Sequence, residues 1–129
     1  MLSRYQMARG VAAAELPRGV RQDTRKHTRH VLRPTAAIVS DYLAAPSEAA
    51  WRRFAKSYRA LLDARFAEDR RPFDELAALA RTDDVYLGCS CPTKHNPDVR
   101  RCHTWLALEF FREHYPALEV RMPAPTAAR

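Results

Sequence analysis

A chain of 129 residues has the length of one domain, with material for a single core and not for two. A hydrophobic fraction of 47% excludes a wholly disordered protein, and no apolar run approaches the roughly 18 residues that cross a bilayer, so no membrane partner is expected. The net charge of +7 is concentrated at one end: residues 1–33 hold eight Arg or Lys against two acidic residues, and the remainder holds 14 against 13.

The N-terminus lacks the continuous apolar core of a secretory signal, and the three cysteines are an odd number at irregular spacing. Both features fit a cytoplasmic protein with reduced thiols or metal ligands better than a disulfide framework. The basic segment 1–33 is a candidate arm for nucleic acid, since clustered cations attract phosphate backbones. Arginine is abundant throughout, however, and Lys occurs only at Lys26, Lys56 and Lys94, so composition alone accounts for much of that charge.

In chain order, Leu2, Tyr5 and Met7 suggest a short first strand, and the Gly and Pro after it make residues 10–20 a loop. An α/β domain is expected over 34–122. Pro34 or Thr35 opens a helix carrying Ile38, Val39, Tyr42 and Leu43, which Pro46 ends. Ser47 is placed to cap the next helix, whose apolar positions Trp51, Phe54, Tyr58, Leu61, Leu62 and Phe66 follow a helical repeat and read as core. Pro72 starts a third helix with Phe73, Leu76, Leu79 and Ala80, broken by Thr82-Asp83-Asp84 before an apolar strand, Val85 to Gly88. The last helix runs from about Cys102 to Tyr115. Leu118 to Met122 alternates as a strand, and residues 123–129 form a tail. Strand, helix, strand between 85 and 122 predicts a parallel βαβ unit in which Val85–Gly88 and Leu118–Arg121 pair directly. The fold class expected is α/β, a single small three-layer domain with a short, mostly parallel sheet flanked by helices.

The chemistry lies in one stretch. Cys89, Cys91 and Cys102 all fall between Val85 and His103, at the carboxyl end of the expected strand and the start of the last helix. Ligands of open α/β sheets bind beyond that edge. Three readings share these residues. In the first, Cys89, Cys91, Cys102 and His103 or His95 hold a metal, with zinc suited to thiolate and imidazole. In the second, Cys102 is a reactive thiol favoured by the helix N-terminus and by Arg100 and Arg101, with His103 moving protons beside it as its catalytic partner. In the third, Lys94, Arg100, Arg101, Thr104 and backbone N–H groups bind a small anionic ligand such as a phosphate or nucleotide. Against all three stands plain packing of small cysteines beneath a loop. Cys89 and Cys102 are expected near one another and Cys91 apart from them. His27 and His30 are weaker candidates for a phosphate-binding arm, and Ser90 lacks the turn of a hydrolase nucleophile.

Taken together, Trp51-Arg-Arg-Phe54, Tyr58-Arg-Ala-Leu61, Phe73 to Ala80, Val85-Tyr-Leu-Gly-Cys89 and Cys102-His103 resemble the bacterial domain-of-unknown-function 488 family over about residues 30–122. The Cys89-Ser-Cys91-Pro and Cys102-His103 arrangement is also similar to a second uncharacterised family with a Cys-x-Cys, Pro, Cys-His signature. The resemblance implies a small three-layer α/β domain with a Cys/His site at a strand end, and no established reaction. Thr104 stands where the first family usually has arginine after Cys-His.

Overall fold

A computed structural model describes residues 1–124. Three strands, β1 (Leu2–Gln6), β2 (Val20–Asp23) and β3 (Val85–Cys89), and four helices, α1 (Ala36–Ala44), α2 (Glu48–Glu68), α3 (Arg71–Thr82) and α4 (His103–His114), make up the domain, with a single 3-10 turn at Ala13–Glu15. Residues 125–129 of the expected tail lie outside the described residues.

The helices begin where short-range chemistry places them. Thr35 accepts the Ile38 N–H at 3.3 Å and Ser47 accepts the Ala50 N–H at 3.0 Å, each satisfying a donor that the first helical turn leaves free. Pro72 sits in the first turn of α3, where its missing N–H costs nothing. Cys102 is the N-cap residue of α4, and the helix ends at Tyr115 before Pro116.

All strands run parallel, in the order β1-β3-β2. Two of the three therefore come from the first 33 residues, including β2, which arises just after the stretch expected as loop. Gly19 makes β2 accessible to β3. At φ +136° and with no Cβ, which would collide with the Asp84 carbonyl oxygen, it lets Val20 donate to that same oxygen at 2.8 Å.

Leu118–Met122, expected as a strand paired with β3, forms no strand: it makes one isolated parallel bridge, and that bridge goes to β1. Val120 bridges Leu2 of β1, with Leu2 N–H donating to Glu119 at 2.9 Å and Arg121 N–H donating to Leu2 at 2.8 Å. β1 already occupies the place beside β3 along five residue pairs, so the chain leaving α4 reaches only the outer edge of β1. Pro123, without an N–H, cannot extend the ladder.

α4 packs on β1 and β3, α2 on α4, and α1 on α2, so these three helices are layered outward from the sheet. The core joins Leu2, Val85 and Leu87 to Phe73, Phe110, Phe111 and Leu108, all fully buried. α2 also pins the chain after β2: Tyr58 donates its hydroxyl to Leu32 O at 2.6 Å, and Arg65 donates to Val31 O at 2.7 Å and Arg33 O at 2.6 Å. That clasp holds residues 24–33 against the carboxyl edge of the sheet.

Candidate metal centre

Because the strands are parallel, their carboxyl ends open on one edge, and the sequence places its thiols there. Cys89 ends β3 on the face already used by Val85 and Leu87. Residues 90–101 loop outward and return at Cys102, and the three sulphurs of Cys89, Cys91 and Cys102 all lie within 4.8 Å of one another. Cys91, expected apart, belongs to the group.

Asn96 is the reason. It is buried, and its side chain donates to Arg101 O at 2.7 Å and to Cys91 Sγ at 3.4 Å while accepting the Tyr42 hydroxyl at 3.0 Å. Backbone bonds between Thr93 and Asn96 close the loop on itself, and the Cys91–Pro92 peptide is cis. From β1, Arg4 donates to Cys91 O at 2.7 Å and Gln6 to Pro92 O at 2.6 Å, so the loop is tied to the strand beside β3. Arg4 and Asn96 escaped the sequence reading. An Asn amid prolines was its one local signal, as a side chain that replaces backbone partners in turns.

The Cys102 sulphur is the acceptor of the cluster. Hydrogen bonds from Cys89 and Cys91 hold its thiol well below the ordinary range, against the opposing cost of burial, and His103 adds to the lowering. Cys89 and Cys91 are pushed up in turn, foremost by the bond each makes to Cys102. Thr104 donates to Cys102 Sγ at 3.2 Å while accepting Arg4 Nε at 3.0 Å. Thr104 thus acts on a thiol and does not line the cavity above it.

His103 stands beside the thiols and outside the group of three. Thr24 donates its only hydroxyl proton to Gly88 O at 2.9 Å, so the His103 Nε2 that lies 2.8 Å from the same oxygen must be the donor. Its Nδ1 lies 3.8 Å from Cys102 Sγ. Thr24, another residue the sequence reading missed, fixes a proton on Nε2 and the orientation of the ring.

Above the thiols opens a cavity of about 350 Å³ lined by Cys89, Cys91, Cys102, His103 and Arg101. Of the cations expected there, Arg101 alone is in the wall. Arg100 is exposed and held by Asp98 in a two-pronged ion pair with both bonds at 3.0 Å, and Lys94 is exposed on the outer loop; neither lines the cavity. His95 is exposed and outside the thiol group. Arg25, Lys26 and His27, from the turn after β2, take part instead. A loop that closes on Asn96 turns Lys94 and Arg100 outward, and the clasp from α2 brings the β2 turn in.

A three-stranded parallel sheet with three clustered thiols at its carboxyl edge makes this a small α/β domain. Within it, the family model described as the active DUF488-N3 subclade matches residues 3–115, and this chain belongs to the DUF488 family. No curated protein and no solved structure matches.

Proposed function

We propose that the cluster is a metal centre, with Cys89, Cys91 and Cys102 as thiolate ligands of one soft cation, zinc foremost, and a fourth position facing the cavity. The observation that carries this reading is the mutual approach of the three sulphurs. A tetrahedral zinc about 2.3 Å from each sulphur sets sulphur–sulphur distances near 3.8 Å, so a contraction of about 1 Å at most would seat the ion. Three protein ligands with one open position is the arrangement of zinc sites that bind a further group. A small anion, phosphate or nucleotide in kind, would enter from the cavity, drawn by Arg25, Lys26 and Arg101.

Elemental analysis of the protein purified under reducing conditions is the test. About one zinc per chain is expected, and cobalt in its place should give a thiolate charge-transfer band that Cys91→Ser abolishes. Protein that takes up neither zinc, cobalt nor copper after reconstitution would end the metal reading.

A second reading, a thiol-dependent enzyme with Cys102 as nucleophile and His103 as its base, is favoured by the 3.8 Å approach of their side chains. Iodoacetamide separates the two. A metal centre protects Cys102 until a chelator is added, and a reactive thiol alkylates readily without one. Nucleic acid binding by residues 1–33 draws less support, since Arg25 is held by Asp23 and Arg33 bonds to His30 O. Truncation before residue 34 would remove β1 and β2 and so could not test it.

A further inference from the structure

We propose that the ligand of the cavity is amphiphilic: a small molecule in which a planar apolar ring, or a group of similar size, is joined directly to one anionic group. The proposal deepens the reading of this cavity as the ligand site and does not depend on the metal beneath it.

The wall has two chemistries. Val39, Tyr42 and Leu43, at helical spacing on α1, and Phe54 of α2 supply an apolar surface. Leu43 is 47% exposed, the exposed large hydrophobic residue of the described part, and it sits on this cavity and not on a random stretch of surface. An isolated exposed leucine needs no explanation, but one that continues an apolar cavity wall enlarges the area a ring can cover.

The other chemistry is cationic, and no Asp or Glu lines the cavity. Arg25 is engaged by Asp23 through two hydrogen bonds at 2.9 and 3.0 Å, and Arg101 by Glu48. Lys26 has no ion pair among the described residues and is exposed beside them. One free ammonium and two guanidiniums already partly neutralised suit a single anionic group better than a polyphosphate. A bare inorganic anion would leave the apolar wall wet. A neutral hydrophobe would cover the ammonium without pairing it. The volume of about 350 Å³ lies at the small end of ligand sites, roughly 300 to 1,000 Å³, which limits the ring to one or two cycles.

Calorimetric titration with phenyl phosphate and with inorganic phosphate, at fixed pH and salt, tests this. Phenyl phosphate should bind at least about tenfold more tightly, a difference of about 1.4 kcal/mol. Leu43→Ser should bring it down toward inorganic phosphate, and Lys26→Ala should weaken both; neither side chain is buried, so both variants should fold. Equal binding of the two probes by the parent protein, or a preference that Leu43→Ser leaves intact, would overturn the proposal. Repeating the titration on chelated protein separates the two readings. A preference retained in protein that takes up no metal supports the amphiphilic ligand and defeats the metal centre, whereas one bound zinc with no binding of either probe does the reverse.

Discussion

Thr24 Oγ1 lies 2.8 Å from His103 Nε2, a bond between the end of β2 and the first turn of α4, both side chains buried. Since Thr24 also donates to Gly88 O, one hydroxyl ties two strands to the helix that carries the Cys102 sulphur. Thr24→Val keeps the shape and removes both bonds. It should destabilise the protein by about 1 to 3 kcal/mol in urea unfolding, because the His103 N–H is left buried without a partner while the Gly88 carbonyl keeps only the Thr24 backbone N–H, and Thr24→Ser should recover most of that.

A second histidine gives the fold a dependence on acid. His30 accepts the Leu32 N–H on Nδ1 at 3.1 Å and donates from Nε2 to Gln22 Oε1 at 2.6 Å, which only the neutral ring can do. Burial, with the charges of His103 and Arg33, pushes its pKa down to about 4. The unfolded chain takes up this proton first. The contribution to stability is therefore full above pH about 6.5 and is lost as the pH falls from there toward 4. For a ring still partly in solvent the loss between pH 7 and 5 should be on the order of 1 kcal/mol. Urea titrations at both pH values, compared with His30→Gln, check it. A variant with the same pH dependence as the parent would count against it.

Metal binding should appear as stability. Zinc in excess over its dissociation constant by about a hundredfold adds about 2.7 kcal/mol to unfolding if the native state alone binds it. Thermal melts with and without zinc should therefore separate for the parent chain, and should coincide for Cys89→Ser, Cys91→Ser and Cys102→Ser.

Two aromatic truncations should differ in cost. Phe73 is fully buried against Phe110 and Phe111, with ring centres 5.4 and 6.1 Å away, and Phe73→Ala should cost about 3 to 5 kcal/mol. Trp51, read from its spacing as core, stacks on Phe54 at 5.3 Å and meets Tyr42 edge-on at 5.7 Å, but it is only half-buried. Trp51→Ala should cost about 2 kcal/mol in the same chemical denaturation. Equal losses would mean that the margin around α1 is as tightly packed as the centre.

The sequence alone determined the four helices, the strand at Val85, the location of the thiols and the family. Helices and their caps depend on residues three or four apart: Ser47 with Ala50, and the Trp51 to Phe66 repeat. Cys89 and Cys102 likewise meet because a strand, a loop and a returning helix must bring those ends together. Tertiary structure decided what pairs with what. A four-residue strand at Val20–Asp23 carries little pattern of its own and exists because β3 offers it an edge. The place of Leu118–Met122 depended on β1 having taken the slot next to β3, over eighty residues earlier in the chain. Asn96, Arg4 and Thr24 became parts of the site, and Lys94 and Arg100 fell outside it, because hydrogen bonding among distant residues sets a loop's inward and outward sides, and no local spacing records that choice.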